Sequence, residues 1–217
     1  PVFFSTTRKS MPRALKVSAT AMPSSRPPST TTGPLFAPSS PLPPMGYLHV
    51  DGMAMTVRGS RYNPLEAQTI AAWLKANAGR LTAHYDRRLE DIVGIVTPFS
   101  RQVSEIREAC AAIGIDVGRT GRTVGTVHAL QGAERRVVIF SPVYSKHADG
   151  SFIDQSPSML NVAVSRAKDA FLVFGDMDTM ASAPPGSPRS LLAHFVSRDA
   201  ANEIDFEVSA RPDLVRK

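Results

Sequence analysis

The groups in this sequence with chemistry to offer are gathered in three short runs. The first, Thr97-Pro98-Phe99-Ser100-Arg101-Gln102, sets hydroxyls and a cation just after an apolar stretch. The second, Thr126-Val127-His128-Ala129-Leu130-Gln131-Gly132-Ala133-Glu134, combines hydroxyl, imidazole, amide and carboxylate around a glycine that permits a tight backbone path. The third, Leu160-Asn161-Val162-Ala163-Val164-Ser165-Arg166-Ala167-Lys168, ends in two cations. A guanidinium stays charged and can grip two phosphate oxygens at once. Taken alone, Arg166 reads better as half of a surface ion pair at the end of a helix. His128 has no His, Cys or carboxylate at ligand spacing, so no metal site is expected. Cys110 is the lone cysteine and falls in the helical pattern 105–110. It reads as a small core residue, and it has no partner for an internal disulfide. No Gly-x-x-x-x-Gly-Lys-[Ser/Thr] occurs. Gly118-Arg119-Thr120-Gly121-Arg122-Thr123 is glycine-rich, but it lacks the Gly-Lys pair and runs into a strand pattern.

Those runs need elements to hold them. Strands are expected at 46–52, 92–96, 123–127, 137–141 and 170–176, mostly short, β-branched and apolar, as suits burial on both faces. Asn63-Pro64 opens a helix, since Asn can cap and Pro suits the first helical position; the helix is expected to stop near Gly79. Further helices are expected at 101–113, 158–168 and 190–196. Alternating strands and helices imply an α/β fold, a parallel sheet with helices on both faces. Ligands of such sheets bind at the carboxyl ends of the strands.

Residues 1–45 differ from the rest. They hold 10 of the 18 prolines, five basic residues and no acidic one. Such a stretch buries too little apolar surface to offset its ordering entropy, so 1–45 is expected to be a largely disordered connector and 46–217 a single domain. The net charge of +6 comes mostly from that connector. It is therefore weak support for nucleic-acid binding. No apolar run approaches the length of a membrane span, nothing resembles a signal peptide, and the cysteine usage suits a cytoplasmic protein. The missing initiator Met suggests a fragment.

In order and spacing, the three runs resemble motifs IV, V and VI of the second RecA-like motor domain of superfamily 1 helicases, in the branch of the nonsense-mediated-decay helicases. Asn63-Pro64-Leu65-Glu66-Ala67 recurs there too. The resemblance covers about residues 46–200 and implies a RecA-like (P-loop NTPase-like) sheet that lacks the P-loop itself. It makes Arg166 the arginine finger for ATP hydrolysis. Gln131, Gly132 and Glu134 become nucleotide contacts, with Arg101 a variable further one. Thr97, Pro98, Thr126 and His128 become contacts to single-stranded DNA or RNA. ATP and Mg2+ would be held mainly by a first RecA-like domain outside this stretch, so the chain alone is expected to be inactive. The Gln-Tyr-Arg segment that joins the two domains in this family is not recognisable, unless Arg8-Lys9-Ser10-Met11-Pro12 is its remnant. The alternatives are a non-motor binding or docking module with a helicase-like fold, and part of a nuclease-helicase fusion.

Overall fold

The computed structural model describes residues 40–118, 123–127, 129, 134–155 and 157–206. All of these fall in the unit Pro38–Lys217. Five strands form one parallel sheet: β1 (Met45–His49), β4 (Val93–Thr97), β5 (Val124–Thr126), β6 (Arg135–Phe140) and β7 (Ala167–Gly175), in the order β1-β7-β6-β4-β5. A separate antiparallel hairpin pairs β2 (Met55–Val57) with β3 (Ser60–Tyr62).

The pleat divides the apolar strand residues between two cores. Ile95, Val137, Ile139, Leu172 and Phe174 meet α1 (Pro64–Tyr85), α2 (Leu89–Ile92) and α3 (Ser100–Ala112). Val96, Val138, Phe140, Phe171 and Val173 meet α4 (Pro157–Val164), α5 (Met177–Ala181) and α6 (Pro188–Val196). This is the expected RecA-like arrangement, a mostly parallel sheet covered on both faces. Among the described residues no helix is long and apolar enough to cross a membrane.

Three boundaries differ from the sequence reading, each for a tertiary reason. Helix α1 runs past Gly79 to Tyr85 and ends only where Asp86 turns left-handed at φ 49. Leu81, wholly buried, draws the extra turns onto the core. Helix α4 stops at Val164 instead of Lys168, because Ala167 is already paired with Arg135 across the sheet. The sheet and its core also take in residues before 46, for Leu42 is buried and Met45 opens β1.

Cys110 lies on α3 with no exposure, and burial pushes its thiol up to about 12. Since the thiolate is the reactive form, the native chain should resist alkylation at pH 8 and react fully in denaturant. Mass spectrometry of iodoacetamide-treated samples checks this; rapid native labelling would contradict the packing.

Candidate functional site

Because all five strands of the sheet are parallel, it has two chemically distinct ends. The amino ends of β6 and β7 gather Glu134, Arg135, Arg136, Arg166 and Lys168. Lys168 Nζ reaches Glu134 Oε2 at 2.7 Å, both side chains being half-exposed. That hydrogen bond and the ammonium charge, with Arg166 nearby, hold the Glu134 carboxyl below its ordinary range. Arg136 pairs with Asp169 at 3.4 Å and stands over the Tyr85 ring. Gly94 gives close passage here: a Cβ on it would stand 2.9 Å from Arg135 Cγ.

Arg166 occupies the two-residue turn between α4 and β7. Its N–H donates to Ala163 O at 3.2 Å, and its carbonyl accepts the Arg135 N–H at 2.9 Å. The backbone is therefore fixed to the sheet. Among the described residues the guanidinium has no ion pair, and its buried Nε has no hydrogen-bond acceptor. The cations here outnumber the carboxylates, as suits an arriving polyphosphate.

The carboxyl ends carry the other predicted residues. Thr97 closes β4 and Thr126 closes β5, directly opposite one another in register. Thr97 is wholly buried and its hydroxyl accepts the Phe99 N–H at 3.4 Å. That hydrogen bond shapes the turn into α3. Thr126 is half-buried, its hydroxyl accepting the Ala129 N–H at 3.4 Å. Pro98 is half-buried and lines a cavity at this end. Arg101 also stands here, at the start of α3. Its guanidinium is held by Glu105 at 2.8 Å and Glu108 at 3.3 Å and lies over Tyr62. The fold thus puts Arg101 at the opposite end of the sheet from Glu134 and Arg166. Gln131, Gly132 and His128 lie outside the described residues.

A buried polar network behind the carboxyl end was not read from the sequence. Asn63, Glu66, Gln102 and Ser141 are all wholly buried. Asn63 caps α1 through Oδ1 and donates from Nδ2 to Glu66 Oε1 at 3.3 Å. Glu66 Oε2 accepts from Ser141 Oγ at 2.5 Å and from Val143 N at 3.1 Å. Gln102 Nε2 donates to Ser141 Oγ at 3.0 Å, and its Oε1 accepts from Asn63 N at 2.8 Å. Asn63 and Gln102 were visible as a cap and as part of a motif. What they hold lies far away in sequence, which no local pattern shows.

His49, Asp176 and Asp178 could together offer three atoms to a metal. Asp176 is already spent, however. It caps α5 by accepting from the Thr179 N–H and hydroxyl and from the Lys146 N–H.

The model of a family described as "AAA domain" matches residues 14–178, beginning inside the proline-rich segment. The chain belongs to this family, among the superfamily 1, nonsense-mediated-decay-like helicases. The ATP-dependent helicase upf1 of Schizosaccharomyces pombe is 30% identical over 171 residues, 75% of this chain and 16% of that protein. Helicase sen1 of the same yeast is 34% identical over 93 residues, 41% of this chain and 5% of that protein. The putative helicase MOV-10 of Gallus gallus is 33% identical over 105 residues, covering 42% and 11%. The helicase domain described here thus spans only a small part of each of these relatives.

Proposed function

We propose that residues 46–217 form the second, C-terminal motor domain of an ATP-dependent superfamily 1 helicase. The observation that carries this reading is the setting of Arg166. Its backbone is locked to the sheet, and its guanidinium stands among cations without an ion pair among the described residues. Phosphoryl transfer depends on positioning and on stabilising charge on the departing phosphoryl group. A fixed arginine at the edge of a domain meets that need when a second domain brings the nucleotide to it. Lys168 holds Glu134 beside it, where the carboxylate can accept from a ribose hydroxyl; the resemblance adds Gln131 and Gly132 as nucleotide contacts.

Magnesium does not fit this end. Glu134 is paired with Lys168 and Asp169 with Arg136, so the metal belongs with the P-loop, whose sequence this chain lacks. At the opposite end, Pro98 and Thr126 grip single-stranded DNA or RNA, with His128, outside the described residues, as a further contact by the resemblance. Thr126 closes β5 at that end and Glu134 precedes β6 at the other, eight positions apart in sequence. Closure on ATP is thereby coupled to the grip on the strand, a cycle biased by ligand.

The test is ATP turnover by the full-length protein with and without single-stranded nucleic acid. Turnover stimulated by a strand is expected, and the chain on its own should show none. A full-length protein that binds strands but never turns over ATP would leave a non-motor binding module as the reading.

A further inference from the structure

A cavity of about 620 Å3 opens at the carboxyl end of the sheet, between the β2–β3 turn, the β4–α3 junction and the loop that follows β6. Its size lies within the range of small-ligand clefts. The rim is aromatic. Phe152 is 46% exposed and tilts against Phe99 at 5.6 Å between ring centroids; Phe99 in turn meets Tyr144 edge-on at 6.0 Å. The outermost ring therefore still presents surface to solvent.

The lining carries two arginines, Arg58 and Arg61, and no carboxylate; a third, Arg189, lies outside the lining, over the Tyr144 ring. Their duties differ. Arg61 donates to the Ala148 and Asp149 carbonyls at 3.0 and 2.9 Å and lies over Tyr144. Arg189, only 2% exposed, binds Asp149 and Asp154 and also lies over Tyr144. Both arginines fasten the loop that carries Phe152, so the ring is held in place before any ligand arrives. Arg58 does neither. It is exposed, with no hydrogen bond or ion pair among the described residues, and has φ 49 beside Gly59 at φ 78. Hairpin turns with two positive φ angles favour Asn or Gly at the first position. A free arginine in that strained place is a pointer to function.

We propose that this cavity is a nucleobase-stacking subsite for single-stranded nucleic acid, with Phe152 as the platform and Arg58 as the contact to a flanking phosphate. This rests on reading the carboxyl end as the strand-binding end. The charge of the lining selects a polyanion over an apolar protein segment, and a base has a π-face for the ring.

The experiment is fluorescence anisotropy of the full-length protein with intact and singly abasic oligonucleotides across a salt series. Phe152→Ala should weaken binding of the intact strand about tenfold to a hundredfold. Phe152→Leu, which keeps the apolar contact with Phe99, should behave the same way. An abasic position should weaken wild type but not these variants. Arg58→Gly, which relieves the turn, should lower the salt slope by about one. If wild type binds strands and the Phe152 variants match it, or all lose equally on intact and abasic strands, the stacking subsite is overturned and the strand-binding end stands. If wild type binds no strand, both fail together.

Discussion

Arg166→Ala is expected to lower kcat for ATP in the full-length protein by about a thousandfold or more, the scale seen when an arginine finger is removed. The setting of the residue makes this a clean test. Its fold-supporting contacts are made by the backbone, through Ala163 O and Arg135 N, and survive truncation. The side chain is only half-buried and has no ion pair among the described residues. Unlike removal of one partner of a buried pair, its loss strands no opposite charge, so the domain should melt within about 1 kcal/mol of wild type. The loss should fall on kcat rather than KM, because the contact strengthens only as charge moves onto the departing phosphoryl group. Arg166→Lys should recover little, since an ammonium is a point charge that cannot bridge two oxygens. A folded Arg166→Ala protein that hydrolyses ATP at the wild-type rate would remove the residue from the mechanism.

That prediction rests on a motif legible in the sequence, but its geometry was not. The run Asn161–Lys168 pointed to Arg166 while implying a helix through it. The structure puts the residue in a turn at the amino end of β7, because pairing of Ala167 with Arg135 claims the chain for the sheet. The resemblance grouped Arg101 with Arg166 and Thr97 with the grip. Which end of a strand a residue occupies depends on topology, and β4 carries Thr97 and Arg101 at the far end from β6's Glu134. The alternation of apolar strands and helices was legible because burial on both faces leaves a continuous apolar run. The β2–β3 hairpin was not, as β2 is exposed throughout and carries no periodic signal. Nor was the role of Arg189, whose partners Asp149 and Asp154 lie in a loop without a motif.

The largest effect on stability should come from Glu66, whose buried partners Ser141 and Val143 lie far away in sequence. Burial raises its carboxyl to about 8, against hydrogen bonds from Ser141, Val143 and Asn63 that lower it, with Asp176 adding to the rise. Its unfolded value lies near 4.5. Below that value both states hold the proton and Glu66 gives no pH dependence. Between about 4.5 and 8 the folded chain keeps a proton that the unfolded chain has released, so its contribution to stability declines as pH rises and levels off above 8. Glu66→Gln abolishes that decline but is not benign. Asn63 Nδ2 and Val143 N–H both need acceptors from residue 66. The Asn63 amide cannot reverse, because its Oδ1 takes the Leu65 and Glu66 N–H groups. A glutamine satisfies one donor and opposes the other, costing about 1–3 kcal/mol. In urea denaturation the stability of Glu66→Gln relative to wild type should therefore be lowest near pH 5 and rise towards pH 8. Glu66→Ala should cost more, roughly 3–5 kcal/mol, because it also releases Val143. That residue is β-branched and held at φ 71, at the start of the loop that carries Tyr144 and Phe152. A pH-independent difference between wild type and Glu66→Gln would mean that the carboxyl is ionised in the fold. Its anchoring of the loop would then rest on charge, not on a shared proton with Ser141.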